Sequence, residues 1–137
     1  MTQQQRTALV TGGMGGLGEA IARSLHDAGH RVLLTHARDE GAAAAWLAVQ
    51  QGEGYAFQSY AADVADWESC QRMAARIAAD GHQVDIVVNN AGITRDATLK
   101  KMTKDGWDAV LRTDLDSVFH VTKPFLDGML ERGWGRV

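Results

Sequence analysis

Glycine dominates the segment that directly follows the first apolar stretch of the chain. Five of the eight residues from Thr11 to Gly18 are glycine, and they come after Ala8-Leu9-Val10. A strand that ends in glycines and continues into a helix lets backbone N–H groups approach a phosphate, because no Cβ intervenes and the helix N-terminus carries partial positive charge. The segment therefore predicts a phosphate-binding turn, with a nucleotide as its ligand.

The glycine spacing fits two nucleotide-binding patterns. Gly13-x-Gly15-x-x-Gly18 matches the general dinucleotide fingerprint, whereas Thr11-Gly12-x-x-x-Gly16-x-Gly18 matches a wider spacing. The spacing alone does not choose between them, and a flexible turn is the simplest alternative for a glycine cluster. A P-loop is a poor match because no Gly-Lys-Ser/Thr sequence closes the run.

Composition and charge limit what the chain can do. Its 137 residues are 45% hydrophobic and 23% charged, with a net charge of −3, which is typical of one globular domain. The basic residues are dispersed, so no nucleic-acid partner is expected. No apolar run approaches the ~20 residues that a membrane helix needs, and the start Thr2-Gln3-Gln4-Gln5-Arg6 is polar. We expect a single cytoplasmic domain over residues 1–137, with no membrane insertion.

The single cysteine and the histidines form no metal or disulfide pattern. Cys70 lies at helical spacing from Met73 and Ile77, which predicts a small buried side chain rather than a reactive thiol. The histidines show no His-Glu-x-x-His arrangement, so no metal site is expected and most of them are predicted to lie at the surface. They are His26, His30, His36, His82 and His120.

Short β-rich stretches alternate with helical segments along the chain, which is typical of βαβ units around a parallel sheet. We predict strands at 6–11, 31–36, 55–61 and 84–88, and helices at 17–28, 41–51 and 66–80, the last capped by Asp66. Right-handed crossovers would place helices on both faces. The fold class is therefore α/β, a doubly wound parallel sheet of the Rossmann-like type.

The last predicted helix, from Thr103 to Arg132, carries two anomalies: Asp114 in its apolar stripe and Pro124 in its interior. A helical proline loses a hydrogen bond and clashes with the carbonyl four residues earlier, so we predict a kink or break there. A buried carboxylate needs a partner, water or a cleft, whereas a small rotation of the stripe would place it in solvent. The stripe comprises Trp107, Leu111, Asp114, Val118, Val121, Phe125 and Met129.

Further motifs follow the third and fourth predicted strands. Asp63-Val64 follows the third, Asn89-Asn90-Ala91-Gly92 follows the fourth, and Ile93-Thr94-Arg95-Asp96 comes next. With the glycine turn, these motifs make the chain resemble the short-chain dehydrogenase/reductase family, and the resemblance selects the wider glycine register. Within the family the chain is similar to acetoacetyl-CoA reductases, through Trp107-Asp108-Ala109-Val110 and Arg132-Gly133-Trp134-Gly135-Arg136, and to 3-oxoacyl-carrier-protein reductases.

The resemblance implies a nicotinamide cofactor and assigns residues to it. Three glycines would line its pyrophosphate, Asp63 would meet the adenine amino group, and Asn90 would lie along the ribose. The resemblance also implies NADPH-dependent reduction of a 3-oxoacyl thioester by a homotetramer. The candidate cofactor-binding residues are Gly12, Gly13, Met14, Gly15, Gly16, Leu17, Gly18, Arg38, Asp63, Val64, Asn90, Ala91 and Gly92.

The end of the second predicted strand bears on which nicotinamide cofactor is bound. NAD enzymes usually place an Asp or Glu near this point, whereas NADP enzymes supply a cation for the 2′-phosphate. Here the strand ends at His36-Ala37 and Arg38 follows, which favours NADPH. Asp39 and Glu40 keep NADH open as the alternative.

The residues that carry out the family's chemistry are missing here. The family uses a tyrosine with a lysine four residues later, but Tyr55 is followed at that spacing by Ser59, and Tyr60 by Val64. The family's catalytic serine is expected on a strand that Gly135-Arg136-Val137 begins. We therefore expect the chain to be truncated before the fifth strand and to be inactive by itself.

Two acidic residues are the remaining site candidates. Asp114 occupies the position of the family's catalytic asparagine, but an ionised carboxylate only accepts hydrogen bonds, so the family's proton relay is in doubt. Asp96 is a candidate border of the substrate pocket, with a solvated loop as its alternative. Two functions stay open: the cofactor-binding part of an NADPH-dependent ketoreductase, and a non-catalytic nucleotide-binding or interaction module.

Overall fold

Four parallel strands form the sheet of the computed structural model, which describes residues 4–137; Thr2 and Gln3 of the polar start lie outside this range. The strands are β1 (Thr7–Val10), β2 (Arg31–His36), β3 (Phe57–Ala61) and β4 (Ile86–Val88), in the spatial order β3-β2-β1-β4. The predicted doubly wound parallel sheet is confirmed, with strand ends within two residues of the prediction.

The free edge of β4 is extended by one residue from the end of the chain. Arg136 forms a parallel bridge with Ile86. Its N–H donates to Asp85 O at 3.0 Å, and its carbonyl accepts from Val87 N–H at 2.9 Å. The segment that the sequence assigned to the start of a fifth strand therefore pairs with β4.

Three helices begin where the sequence places polar or glycine starts. They are α1 (Gly16–Asp27), α2 (Glu40–Gly52) and α3 (Trp67–Ala79). Asp39 caps α2 by accepting from Ala42 N–H at 2.9 Å. Asp66 caps α3, as predicted, by accepting from two backbone N–H groups. Both carboxylates satisfy N–H groups that have no partner inside the helix.

The long helix predicted for the last segment is interrupted at Leu111–Asp116 and not at Pro124. It consists of α4 (Lys104–Val110), a π-helical segment (Leu111–Asp116) and α5 (Ser117–Arg132). The sequence predicted a kink or break at Pro124; the break is wrong, because α5 continues through the proline. Packing explains the tolerance: Val121 and Phe125, on either side of the proline, are buried in the core, and each contributes about 1.5–3 kcal/mol, similar to the cost of a helical proline.

The π-helical segment also splits the predicted apolar stripe. Its C-terminal part is buried as expected, with Val121, Phe125 and Met129 at most 9% exposed. Trp107 and Val118, in contrast, are 48% and 40% exposed. A π-turn closes its hydrogen bonds five residues apart instead of four, so it rotates the residues before it away from the face that they would share in one α-helix.

Two apolar clusters cover the two faces of the sheet. One contains Leu9 and Leu33 with residues of α3 and α5, including Cys70, which is fully buried as predicted. The other contains Val10 and Leu34 with residues of α1 and α2. Successive residues of β1 and β2 thus point to opposite faces of the sheet, and both faces are buried against helices. Among residues 4–137, no helix has the length and apolar character that crossing a bilayer requires.

Candidate functional site

A cavity of about 490 Å³ lies where the chain leaves the carboxyl ends of the strands. This edge is where open parallel α/β sheets bind ligands. The cavity brings together all the predicted cofactor-binding residues except Gly13. Its further lining residues, which the sequence analysis did not assign to the site, are Thr35, His36, Ala37, Ala62, Ile93 and Thr113.

Gly13 packs against β2 and does not line this cavity. A Cβ at this position would lie 2.5 Å from Leu34 Cδ2. The glycine therefore allows the turn to pack closely on β2, where its N–H also donates to Thr35 O at 3.2 Å. Its role is to hold the turn, because its backbone faces the sheet.

Gly12 and Gly18 form the floor of the turn. Gly12 has a φ of +61°, which favours glycine. A Cβ on Gly18 would lie 2.2 Å from Gly12 O and 2.7 Å from Asn90 Nδ2. No side chain larger than hydrogen fits at Gly18 without moving these groups.

Gly15 and Gly16 leave open space at the start of α1. A Cβ on Gly16 would have no neighbouring atom within 4 Å, and one on Gly15 would meet only Gly12 O at 3.6 Å. Within residues 4–137, no side chain caps the first turn of α1. Uncapped N–H groups beside empty space suit an anion such as a pyrophosphate.

Hydrogen bonds of Thr11 connect the turn after β1 to the loop after β4. The residue is 2% exposed, and its Oγ1 accepts from Asn90 N–H at 3.0 Å and from Ala91 N–H at 2.9 Å. Asn90 Nδ2 in turn donates to Thr11 O at 3.0 Å and to Gly12 O at 3.3 Å. Thr11 opened the glycine motif in the sequence, but only the structure shows its hydroxyl joining the two loops.

The end of β2 contributes a cation and a buried imidazole to the cavity. Arg38 Nη2 donates to Met14 O at 3.0 Å, which holds the guanidinium against the glycine turn. His36 is only 7% exposed, so the prediction of a surface position is wrong for this histidine. Its burial follows from its place as the last residue of a central strand.

Asp63 makes hydrogen bonds within its own turn and also lines the cavity. Its Oδ1 accepts from Ala65 N–H at 3.0 Å, and its own N–H donates to Ser69 Oγ at 2.9 Å. The residue is exposed and lines the cavity, next to the buried Val64. The local hydrogen bonds fix its carboxylate at the cavity edge.

Asp114 lies at the mouth of a second cavity of about 260 Å³, which Asp96 also lines. Asp114 is exposed, and its Oδ1 accepts from Ile93 N–H at 2.8 Å. Ile93 lines both cavities, so it forms part of the wall between them. Both sequence-based alternatives thus hold in part: the carboxylate is solvated, and it faces a cleft.

Neither tyrosine lies in these cavities. Tyr60 packs in the core and donates its hydroxyl hydrogen to Asp80 Oδ2 at 2.7 Å. Burial and this hydrogen bond raise the pKa of Tyr60 above its usual value, which is opposite to what a catalytic phenol needs. Tyr55 stacks on Phe57 at the other edge of the sheet. Within residues 4–137, no group of three or more His, Cys, Asp or Glu residues could hold a metal ion.

The parallel sheet, with its cavity at the strand ends and its open glycine turn, defines a protein of the Rossmann-like α/β class. The chain belongs to the short-chain dehydrogenase family, because the model of the family "short chain dehydrogenase" matches residues 6–137. It is therefore related to oxidoreductases that bind a nicotinamide cofactor.

Individual relatives cover nearly all of the chain. It is 44% identical over 133 residues to an acetoacetyl-CoA reductase of Cupriavidus necator and 50% identical over 133 residues to nodulation protein G of Azospirillum brasilense. Each match covers 97% of this chain and 54% of the relative. A gluconate 5-dehydrogenase from Burkholderia cenocepacia, solved with NADP and tartrate, superposes with a TM-score of 0.87 at 34% identity, covering 97% of this chain and 52% of that one. The chain spans about half the length of the relatives it matches.

Proposed function

We propose that the chain is the cofactor-binding N-terminal part of an NADPH-dependent reductase that converts acetoacetyl-CoA to 3-hydroxybutanoyl-CoA. The observation that carries this proposal is the cavity that joins the glycine turn, Arg38, Asp63 and Asn90 at one edge of the sheet. Bound NADPH would supply the hydride that reduces the 3-oxo group. The similarity to an acetoacetyl-CoA reductase supports the substrate class. We further propose that the whole protein is a homotetramer.

Each wall of the cavity has a proposed role toward the cofactor. The pyrophosphate lies over Gly15 and Gly16, where the uncapped N–H groups of α1 donate to its oxygens. Asp63 accepts from the adenine amino group at the cavity edge. Asn90 lies along the ribose, and its side chain is already oriented by its bonds to the turn.

Arg38 supports NADPH over NADH. Its single hydrogen bond to Met14 O uses one of the five N–H donors of a guanidinium. The others are available to a 2′-phosphate, which a guanidinium binds in a fixed planar geometry. Asp39, which had kept NADH open, accepts from Ala42 N–H as the cap of α2. Its carboxylate is thereby held at the start of α2.

The second cavity is the proposed entrance for the acyl group. Asp96 and Asp114 border it, together with the apolar side chains of Trp107 and Leu111. Ile93 lines both cavities, so the 3-oxo group and the nicotinamide would meet beside it. A reductase of 3-oxoacyl groups on acyl carrier protein is an alternative with the same reaction.

A non-catalytic nucleotide-binding module is the second candidate, because one observation favours it. The 137 residues contain no tyrosine followed by a lysine four positions later. Under this alternative the chain binds a nucleotide without turning over any substrate. NADPH binding alone does not separate the two candidates, so the substrate reaction is tested as well.

The test uses fluorescence titration of the 137-residue chain with NADPH and NADH. We expect NADPH to bind, and Arg38→Ala to weaken NADPH by about tenfold while changing NADH by less than about twofold, because the lost contacts are charge-assisted bonds to the 2′-phosphate. Arg72→Ala, on the exposed surface of α3, is the matched control. Failure of NADPH to bind overturns the proposal.

The same sample addresses catalysis. We expect no acetoacetyl-CoA-dependent oxidation of NADPH by the 137-residue chain, because its two tyrosines lie away from both cavities. Measurable turnover would contradict the expected inactivity of the chain alone. Turnover by the longer protein that contains this chain, if found, would favour the reductase over the non-catalytic module.

A further inference from the structure

We infer that the chain has a second binding site, for the phosphate group of a small ligand, at the amino-terminal edge of the sheet. A cavity of about 310 Å³ lies there, and the arginines that line it are Arg6, Arg31 and Arg132. This cavity and the proposed cofactor cavity lie at opposite ends of the strands. Arg31 is the first residue of β2, and His36, which lines the cofactor cavity, is the last, roughly 16 Å away along the strand. The inference therefore does not depend on the proposed cofactor function.

Asp85 is the acidic residue that lines this cavity within residues 4–137, and protein groups bond both of its carboxylate oxygens. Its Oδ1 accepts from Arg132 Nε at 3.2 Å, and its Oδ2 accepts from Thr7 N–H at 3.1 Å. Arg132 Nη2 also lies 3.2 Å from Oδ1, so the two side chains form an ion pair. Asp85 is buried. Because its charge is balanced by Arg132, the charge that remains at the cavity is that of Arg6 and Arg31.

The guanidinium groups of Arg6 and Arg31 have no acidic partner in the part of the chain that the structure describes, where the ion pairs involve other cations. Arg6 lies over the ring of Trp134, 4.0 Å from its centroid. This stacking restrains the guanidinium and leaves the N–H groups at its edge able to donate. Arg31 is exposed, and its backbone N–H donates to Arg6 O at 2.9 Å. The two arginines therefore lie side by side on neighbouring strands, where both can bind one anion.

A phosphate group matches this arrangement better than a carboxylate does. Each guanidinium presents a planar set of N–H donors that binds two phosphate oxygens at once. A phosphate monoester carries close to two negative charges at neutral pH, which equals the charge of the two guanidinium groups without an acidic partner. A carboxylate carries one charge and has two oxygens. Gln83, which is exposed and lines the cavity, adds uncharged N–H donors. Free phosphate and the phosphate of a small monoester share this chemistry.

The test is an NMR titration of the isotope-labelled 137-residue chain with inorganic phosphate in HEPES buffer at pH 7.5. A second titration uses NaCl at matched ionic strength, and a third uses methyl phosphate. Arg31→Gln and Arg6→Gln each remove one cation and keep an N–H donor at the cavity. Arg72→Gln is the matched control, because Arg72 is exposed on α3 and its side chain lies beside Asp66, outside the cavity.

We expect phosphate, but not NaCl, to shift the backbone amide signals of Thr7 and Arg31 saturably, with a dissociation constant of about 1 mM or lower. Arg31→Gln and Arg6→Gln should each weaken phosphate binding by about tenfold, because each loses a charge-assisted contact. Arg72→Gln should change it by less than about twofold. Equal dissociation constants for the wild type and Arg31→Gln would overturn the inference. So would the same shifts with NaCl, or no saturable shift up to about 10 mM phosphate.

The amide signals of the glycine turn distinguish this site from the proposed cofactor site. If phosphate shifts only Gly15 and Gly16, the second site is overturned and the cofactor proposal stands. If Thr7 and Arg31 shift but NADPH does not bind, the second site stands and the cofactor proposal is overturned. Arg6→Gln also loses its ring stacking, so Arg31→Gln, which changes an exposed side chain, decides the outcome if Arg6→Gln does not fold. Methyl phosphate separates the two sources of phosphate: affinity equal to or above that of inorganic phosphate assigns the site to a monoester, and lower affinity assigns it to free phosphate.

Discussion

Alanine at Gly16 and at Gly18 separates the stability of the glycine turn from its capacity to bind a ligand. A Cβ at Gly18 would lie 2.2 Å from Gly12 O and 2.7 Å from Asn90 Nδ2, so these groups must move by about 1 Å to regain van der Waals separation. Overpacking costs about 1–3 kcal/mol, and weaker Asn90 hydrogen bonds add about 1 kcal/mol. We expect Gly18→Ala to lower the free energy of unfolding by about 2–4 kcal/mol.

Gly16 gives the opposite expectation for stability. A Cβ there meets no atom within 4 Å, and the residue is already in the first turn of α1. Alanine restricts the unfolded chain, so Gly16→Ala should raise the free energy of unfolding by about 0.4–1 kcal/mol. The same Cβ would occupy the space proposed for the pyrophosphate. NADPH affinity should therefore fall by about tenfold or more, a loss of about 1.4 kcal/mol.

The assay is urea denaturation without nucleotide, followed by circular dichroism, together with NADPH titration of the same preparations. The reasoning predicts opposite signs for stability and a loss of binding in both variants. If Gly16→Ala destabilises the chain as much as Gly18→Ala, the steric argument is refuted. If Gly16→Ala binds NADPH like the wild type, the pyrophosphate does not lie over this residue.

Substitutions at three further positions test separate contacts. Thr11→Val leaves two backbone N–H groups without their acceptor and should cost about 1–3 kcal/mol of stability in urea denaturation, whereas Thr11→Ser should retain most of it. Asp114→Ala removes the acceptor of Ile93 N–H and should speed hydrogen exchange of that amide, whereas Asp114→Asn should not; equal rates would contradict the contact. Burial, with two nearby carboxylates, raises the pKa of the Cys70 thiol from 9.0 to about 11. The free energy of unfolding of the wild type should therefore decline from pH 9 to 11 more steeply than that of Cys70→Ala. Equal slopes of this free energy against pH, measured by urea denaturation, would contradict the expectation.

The strands of the sheet were predictable from local sequence patterns. The meeting of the polar motifs at one edge was predictable because the strands are parallel. The apolar stretches gave the strands to within two residues. Since parallel strands end at one edge, the motifs after β1 and β4 had to meet there. Asp66 was identified as a cap because a carboxylate can accept from the free N–H groups of a first helical turn.

The errors arose where packing between elements overrides local preference. Pro124 signals a helix break, yet buried neighbours hold α5 through it. The π-helical segment around Asp114 joins α4, which lines the second cavity, to α5, which packs in the core, and periodicity does not encode this change of face. His36 became a cavity residue because β2 is central and its last side chain turns toward the site, a position that a polar residue type does not reveal.

The five glycines of the turn have separate physical causes, and the difference bears on whether the chain binds a nucleotide at all. Gly12 is required by its positive φ, and Gly13 and Gly18 are required by close packing. All three would be needed by the fold even without a ligand. Gly15 and Gly16 have open space in front of them and no such requirement. Glycine lowers helix stability relative to alanine inside a helix, so Gly16, the first residue of α1, is accounted for by a ligand that occupies this space. Gly15 carries no such argument, because it is the N-cap of α1 and glycine is itself favoured there over alanine. The open space at Gly16 favours nucleotide binding over a purely structural module.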